Sequence, residues 1–356
     1  MRVSILGGGA AACGAAAHLS AMGHDPMLWS PSGRSTEALT AGAPLRASGA
    51  IETSFHPRIA ASAEEAVATA DVVMLAMPGY AHKLAFDAIA PHLRDGQPVI
   101  VSSHASFGAL YLSRLLAARK VRVPIIAWGT TLTTGRKASP TEVAVNSLRS
   151  KIDLATVPQS AAEEGLALCT ALFGERFVVR EGLLAIALSN LNPQNHLGIA
   201  VFNLTRMERG ESWGQAENVT PAVGRVMEAL DAERLAIAEA FGVSVRTIRE
   251  HYAFSYQLPV ASIAEMNAEL HGRGKGGFGP ATLDTRYVLE DAPYGLLPTV
   301  LLGRLAGRPA TLHEAGLTLL SAAYGRDFTR ENELLPALGF DGMTREDLAV
   351  RAKDGF

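Results

Sequence analysis

The sequence predicts an α/β fold, with a Rossmann-type doubly wound parallel sheet over residues 1–181 and an all-α domain over residues 182–356. Three observations lead to this prediction. A glycine-rich turn follows the first strand-like segment, apolar strands then alternate with helices, and only helical patterns remain from about Gly182 onward. A length of 356 residues also favours two domains over one.

The first elements have the order strand, glycine turn, helix, strand. The first strand spans 2–6, an Ala-rich helix ends near Met22, and a short strand spans 26–29. This is the context in which dinucleotides bind the backbone of a turn. The alternative is an ordinary glycine turn in an α/β protein that binds no nucleotide.

Four residues of this turn are candidate cofactor contacts. Gly7 permits the tight turn, and Gly9 lets the backbone approach a pyrophosphate. Ala10 and Ala11 open the helix, whose N-terminus offers free N–H groups and a positive dipole end to phosphates. We therefore expect Gly7, Gly9, Ala10 and Ala11 to hold the dinucleotide.

The residues after the second strand indicate which dinucleotide is bound. NAD sites place Asp or Glu there to hold the ribose 2′-hydroxyl. The segment from Trp29 to Ser35 has no carboxylate, and it offers the hydroxyl of Ser30 and the guanidinium of Arg34 instead. These groups suit a 2′-phosphate, so NADP(H) is favoured over NAD(H). The alternative is that Arg34 is a solvated loop residue.

Alternating elements continue through the first domain, with helices predicted at 61–70, 80–92 and 107–118 and strands at 71–78, 98–102 and 123–128. Such alternation predicts a parallel sheet. Ligands of these sheets lie beyond the carboxyl ends of the strands. This rule adds Met77 and Pro78 to the expected cofactor contacts.

A polar stretch from Ser189 to His196 interrupts an apolar helical run that extends from about 183 to 209. Helix interiors disfavour Pro, which removes a backbone donor, and clustered Asn, whose side chains compete for backbone partners. Local departures of this kind tend to lie at functional sites. The alternative is a kinked core helix whose polar groups are satisfied internally.

A second polar stretch runs from Arg286 to Gly295. Asp291 stands two residues before Pro293, which is typical of a helix N-cap. Arg286 precedes that helix, and its guanidinium suits bidentate recognition of a carboxylate.

The remaining segments of the second domain read as structural. Helices are predicted at 221–241, 245–254 and 262–271, with three more beginning near 310, 330 and 344. The basic, glycine-rich segment 272–280 is expected to be a linker, or else a lid that reaches substrate or phosphate. His313-Glu314 begins like a zinc-protease helix, but Leu317 replaces the second His, so we expect no metal.

Bulk properties exclude several classes of partner. The net charge of −3 makes no electrostatic case for nucleic acid or a membrane surface. No uncharged apolar run reaches the ~18 residues of a membrane span, and we expect no signal peptide. Two cysteines fit a reduced compartment, so the cytoplasm is the expected location.

The two polar stretches resemble motifs of the octopine/nopaline (opine) dehydrogenase family. The residues that carry the resemblance are Asn190-Leu191-Asn192-Pro193-Gln194-Asn195-His196 and Arg286-Tyr287-Val288-Leu289-Glu290-Asp291-Ala292-Pro293-Tyr294-Gly295. The resemblance implies a Rossmann domain joined to a helical catalytic domain. It also implies an NAD(P)H-dependent reductive condensation of an α-keto acid with an amino acid or amine.

Carried over residue by residue, the family's catalytic His matches His196 and its paired Asp matches Asp291. The Arg that binds the substrate carboxylate matches Arg286. Asn190 is a candidate contact to substrate or nicotinamide, with a role in helix packing as the alternative. Protonation makes an imine a good hydride acceptor, and His gives and takes a proton near neutral pH. Residues 128–132 lack an expected Glu, which leaves the substrates open.

Two alternative functions remain at this point. One is a two-domain reductase acting on a ketone or a preformed imine, related to ketopantoate reductase or glycerol-3-phosphate dehydrogenase. Those families rely on a Lys that the 189–196 stretch lacks. The other is a nucleotide-binding sensor without turnover, which would not need His196, Asp291 and Arg286 together. We expect small-molecule substrates and a homodimer formed through the helical domain.

Overall fold

The computed structural model describes all residues from 1 to 356, and they form two compact units. The first unit contains residues 1–187, 336–341 and 346–356, and the second contains residues 188–335 and 342–345. No helix is both long enough and apolar enough to cross a membrane.

The first unit is built on an eight-stranded sheet with the strand order β12-β11-β8-β7-β6-β1-β2-β5. Its strands are β1 Arg2–Leu6, β2 Asp25–Trp29, β5 Arg58–Ile59, β6 Val72–Leu75, β7 Val99–Val101, β8 Ile125–Trp128, β11 Ile152–Val157 and β12 Phe177–Val179. Neighbouring strands are parallel except for β8 and β11. The predicted doubly wound, mainly parallel sheet is thereby confirmed.

The central strands are continuous runs of apolar residues because helices cover both faces of a parallel sheet. In β6 all four residues are buried, and the same holds for the three of β7. The helices of this unit are α1 Ala10–Ala21, α2 Glu37–Thr40, α3 Ala63–Ala68, α4 His82–Ile89, α5 Gly108–Arg119 and α6 Ala162–Phe173.

A second sheet of four strands was not predicted. Its strands, in the spatial order β4-β3-β10-β9, are β3 Leu45–Gly49, β4 Thr53–Phe55, β9 Thr133–Ser139 and β10 Glu142–Leu148. The β9 side lies close to α1, since a Cβ on Gly14 would lie 2.4 Å from Oγ1 of Thr133. Most residues of β9 are polar and only partly buried, so its sequence lacks the apolar alternation that marks a strand.

The second unit is helical, as predicted. Its helices are α8 Asn192–Glu208, α9 Pro221–Ala240, α10 Ile248–Tyr256, α11 Ile263–Gly272, α12 Arg286–Leu289, α13 Leu297–Leu305 and α14 Thr311–Tyr324, with a π-helical turn at Ala292–Leu296. The helices α7 Gly182–Ser189, α15 Leu334–Leu338 and α16 Arg345–Asp354 run across the boundaries between the two units.

The structure corrects the single boundary predicted between residues 181 and 182. The first unit extends to Ala187, and the C-terminal segment returns to it. Leu348 and Ala352 of α16 are buried, and the backbone N–H of Phe356 donates to Ser113 Oγ at 2.9 Å. Burial of this apolar face attaches α16 to the first unit, a long-range contact that no local pattern reports.

Candidate active site

The glycine turn has the geometry expected of a dinucleotide site. Gly7 has a φ of +134°, which L side chains rarely adopt, and a Cβ there would lie 2.6 Å from the carbonyl oxygen of Ala76. Gly9 is the N-cap of α1, and a Cβ on it would meet nothing within 4 Å. No side chain caps α1, so its first N–H groups, including those of Ala10 and Ala11, are available to a phosphate.

The loop after β2 folds back onto this turn. A Cβ on Gly8 would lie 2.3 Å from Oγ of Ser35, and that hydroxyl donates to Oγ of Ser30 at 2.8 Å. Arg34 is exposed and makes no hydrogen bond or ion pair within the chain. The turn and the loop therefore present backbone donors, a hydroxyl and an unpaired guanidinium, a donor set that fits NAD(P).

Met77 and Pro78 follow β6, next to the glycine turn. A Cβ on Gly7 would lie 3.2 Å from Cγ of Met77, and the carbonyl of Met77 lies 3.1 Å from Nε2 of His82. Both Met77 and Pro78 are partly buried. The structure thus brings Met77 beside Gly7 at the carboxyl edge of the sheet, where the topological rule predicted it.

The first polar stretch, residues 189–196, separates two helices and does not lie inside a single kinked helix. Helix α7 ends at Ser189 and α8 begins at Asn192, so Pro193 lies in a first turn, where its missing N–H is tolerated. Oδ1 of Asn190 accepts a hydrogen bond from the N–H of Asn192 at 3.1 Å. The alternative of one kinked core helix through this stretch is therefore wrong.

His196 and Asp291, 95 residues apart in the chain, are joined directly. Nδ1 of His196 lies 2.5 Å from Oδ2 of Asp291, and each side chain is only 18% exposed. Nε2 of His196 has no partner in the chain. Asp291 stands at the predicted N-cap position of the π-helical turn, but its side chain makes no capping hydrogen bond there.

Tyr287 belongs to the same cluster, although the sequence did not single it out. Its ring stacks on the imidazole of His196, with 3.6 Å between centroids and 13° between planes. Its hydroxyl donates to Oε1 of Gln215 at 2.6 Å. Burial raises the pKa of Tyr287, and the charge of Asp291 adds to this, so the phenol stays neutral and continues to donate.

Arg286 occupies a different environment from the one predicted. It precedes the helical turn that begins at Ala292, as predicted, but it is itself the first residue of α12, and its side chain is 75% exposed. Its Nε donates to Oε2 of Glu290 at 2.5 Å. The structure thus pairs His196 with Asp291 directly, whereas Arg286 pairs with Glu290 and is next in the chain to Tyr287, which stacks on His196.

Close packing brings the two polar stretches together. A Cβ on Gly295 would lie 2.3 Å from Cγ of Pro193, so only glycine allows the π-helical turn to approach α8 this closely. Nδ2 of the buried Asn332 donates to the carbonyl of Pro293 at 2.8 Å. A π-helical turn such as Ala292–Leu296 is frequent at functional sites.

His313 of the second unit has a structural partner on its Nδ1. Nδ1 of the buried His313 lies 2.8 Å from Oε2 of Glu233, a carboxylate that also accepts the N–H of Leu312. No group of three or more His, Cys, Asp or Glu side chains is arranged to hold a metal ion.

Two family models and one relative match most of this chain. Residues 179–324 match the family model of the NAD/NADP octopine/nopaline dehydrogenase, alpha-helical domain, and residues 3–156 match that of ketopantoate reductase PanE/ApbA. The chain is 32% identical over 347 residues to an opine dehydrogenase of Arthrobacter sp. (strain 1C), covering 96% of both proteins.

The chain belongs to the opine dehydrogenase family. It is an opine dehydrogenase-like NAD(P)H-dependent oxidoreductase, which agrees with the reductive condensation that the two motifs imply. The match to the ketopantoate reductase model stops at residue 156 and so concerns the nucleotide-binding part alone.

Solved structures of opine dehydrogenases have the same fold as this chain. An octopine dehydrogenase in complex with NADH and L-arginine has a TM-score of 0.81 at 18% identity, covering 100% of this chain and 99% of that one. A yersinopine dehydrogenase with NADP⁺ bound has a TM-score of 0.73 at 19% identity, covering 99% and 97%.

Proposed function

We propose that His196 and Asp291 are the catalytic proton-transfer pair of this opine dehydrogenase-like enzyme, which reduces a C=N bond to CH–NH. The observation that carries the proposal is the 2.5 Å contact between His196 Nδ1 and Asp291 Oδ2, together with the unpartnered Nε2. A carboxylate on Nδ1 holds the imidazole in the tautomer whose Nε2 is basic, and it stabilises the imidazolium.

His196 serves two steps that need a proton. A carbinolamine formed from a keto acid and an amine loses water only when its hydroxyl is protonated. The resulting imine accepts a hydride well only when its nitrogen carries a proton. Nε2 of His196, with Asp291 bonded to Nδ1, gives and takes these protons as a general acid and base. The bound dinucleotide supplies the hydride.

Arg286 is proposed to anchor the carboxylate of the keto acid. Its side chain is exposed. Arg286 directly precedes Tyr287, whose ring stacks on the imidazole of His196. A fixed carboxylate turns a mobile encounter into an oriented one. Asn190 is proposed as a further substrate contact through its amide Nδ2, because its Oδ1 already holds the start of α8.

We propose that the dinucleotide is held by the turn and loop residues Gly7, Gly9, Ala10, Ala11, Ser30, Arg34, Met77 and Pro78. NADP(H) is favoured over NAD(H), because the loop after β2 offers Ser30 and the unpaired Arg34 but no carboxylate to hold a 2′-hydroxyl.

The substrate class follows from the family. Structures of octopine dehydrogenase have been solved with L-arginine, with agmatine and with pyruvate. We therefore propose an α-keto acid of pyruvate type and an amino acid or amine as the two substrates. Homodimerisation through the helical unit and a cytoplasmic location stay predictions.

The test of this function is NADPH oxidation by purified enzyme with pyruvate, with and without a panel of amino acids and amines. Oxidation that requires both substrates supports reductive condensation, with mass spectrometry of the secondary amine as the second readout. Oxidation with the keto acid alone would instead support a ketone reductase, and no oxidation with dinucleotide still bound would support a sensor.

A further inference from the structure

Lys137 of β9 reaches across the first unit to the nucleotide-binding loops. Its Nζ donates to the carbonyl oxygen of Gly8 at 3.2 Å and to that of Ser35 at 3.3 Å. One carbonyl belongs to the glycine turn and the other to the loop after β2. The second sheet therefore places one ammonium group at the junction of the two segments that bind the dinucleotide.

The charge of Lys137 is not neutralised within the chain. Neither partner is a carboxylate, and Lys137 makes no ion pair. An ammonium has three N–H donors, of which the two carbonyls account for two. Carbonyl dipoles orient the group but carry no net charge, so a positive charge with one remaining donor stands at this junction.

The groups around Lys137 are those of a phosphate-binding site. Ser35 packs on Gly8 so closely that a Cβ on Gly8 would lie 2.3 Å from its hydroxyl. The exposed, unpaired Arg34 precedes Ser35 directly, and the uncapped N-terminus of α1 follows Gly8 and Gly9. Backbone donors, a guanidinium and an ammonium are thus grouped with no carboxylate bonded to either cation, which is the composition of an anion site.

We propose that Lys137 is a further dinucleotide-binding residue, whose ammonium neutralises a phosphate of NAD(P)H. The phosphate is the pyrophosphate if the contact through Gly8 dominates, or the ribose 2′-phosphate if the contact through Ser35 dominates. This inference rests on the proposed binding of NAD(P)H at the glycine turn, and it does not depend on the roles of His196 and Asp291.

The test is the dissociation constant of NADPH and of NADH, measured by nucleotide fluorescence without substrate at low and high salt. Lys137→Met should raise the constant about tenfold to a hundredfold, the range of one charge-assisted contact. It should also weaken the dependence on salt, because one charge fewer is screened. Arg136→Met is the matched control, since adjacent strand residues point to opposite faces.

Each outcome has a definite meaning. Weaker binding of both dinucleotides supports a pyrophosphate contact, and weaker binding of NADPH alone supports a 2′-phosphate contact. The proposal is overturned if Lys137→Met binds like Arg136→Met or keeps the salt dependence of the wild type.

A second variant separates charge from a purely structural clamp. Lys137→Gln keeps an N–H donor for the carbonyls of Gly8 and Ser35 but has no charge. It should lose affinity as Lys137→Met does, and wild-type affinity would overturn the proposal in favour of a clamp. If the wild type binds neither dinucleotide, the proposed function fails. If the wild type binds and Lys137 has no effect, only this inference fails.

Discussion

The phenol ring of Tyr287 lies parallel to the imidazole of His196, with 3.6 Å between the ring centroids. The hydroxyl of Tyr287 is fixed by Gln215, and Nδ1 of His196 is fixed by Asp291. The imidazole is therefore held on one face and one edge, and Nε2 is the nitrogen left for a substrate. A positive imidazolium over the negative face of a phenol is also electrostatically favourable.

Loss of this stacking should slow turnover without affecting cofactor binding. An aromatic pair contributes about 0.5–1.5 kcal/mol, so Tyr287→Leu should lower kcat by roughly twofold to tenfold. Tyr287→Phe keeps the ring and should retain most activity. The measurement is steady-state kinetics beside the NADPH dissociation constant, with the exposed Tyr256→Leu as control. Equal kcat values for Tyr287→Leu and the control would argue against a positioning role.

Removal of the proton-transfer pair should have the largest effect on rate. We expect His196→Ala to lower kcat by about 10²–10⁴-fold, the range of general acid–base catalysis, while NADPH still binds. Asp291→Asn should also be impaired, because the amide no longer selects the tautomer. Exposed His271 provides the control variant His271→Ala. Wild-type kinetics in His196→Ala would refute the assignment.

Arg286 should act on the keto acid more than on the amine. Arg286→Ala removes a carboxylate anchor, so the KM for pyruvate should rise about tenfold or more, as for a lost charge-assisted contact. Arg273→Ala is the matched control, because Arg273 is an exposed arginine paired with Glu269 four residues away, as Arg286 is with Glu290. An equal rise in the KM values of both substrates would contradict anchoring.

Arg34 should determine part of the cofactor preference. In Arg34→Ala the ratio of NADPH to NADH affinity should fall about tenfold, because a guanidinium contact to a 2′-phosphate is lost while NADH keeps its contacts. The two dissociation constants give this ratio directly. Arg46→Ala, in an exposed ion pair with Glu142, controls for general charge loss. A ratio that stays at the wild-type value would remove Arg34 from the site.

Asp231 should matter for stability rather than for catalysis. It accepts two bonds from the buried Arg234, whose guanidinium also donates to the carbonyls of Leu188 and Arg246. Asp231→Ala leaves that charge buried without a counter-charge, which costs about 3–5 kcal/mol of unfolding free energy. Urea denaturation of the variant and the wild type measures this loss of unfolding free energy. Glu269→Ala, which breaks an exposed pair, should have little effect.

Much of the architecture could be predicted because it depends on local patterns. Buried strands such as β6 are continuous apolar runs, and the glycine turn precedes a helix at the expected spacing. The second sheet lacked such a signal, since β9 is mostly polar. The return of α16 to the first unit depends on an apolar face, formed by Leu348 and Ala352, whose partner lies far away in the chain.

The candidate site could be predicted only in part. His196 and Asp291 were found because each lies in a motif that resembles those of one family, and the structure joins them. Nothing in the sequence marked Gln215 as the partner of Tyr287, since the two are 72 residues apart. Asp291 also has the spacing of a helix cap, and only its distance to His196 distinguishes the two roles.

The sequence by itself determined the two-part fold, the glycine turn and the residue types available for proton transfer and anion binding. Backbone preference and apolar periodicity depend on a few neighbouring residues. A single segment of the sequence is therefore enough to recognise them. The tertiary structure decided which partner each polar side chain takes, including Asp291 for His196 and the Gly8 and Ser35 carbonyls for Lys137. Those pairings depend on the packing of segments about a hundred residues apart, where a difference of a few ångströms makes or breaks a hydrogen bond.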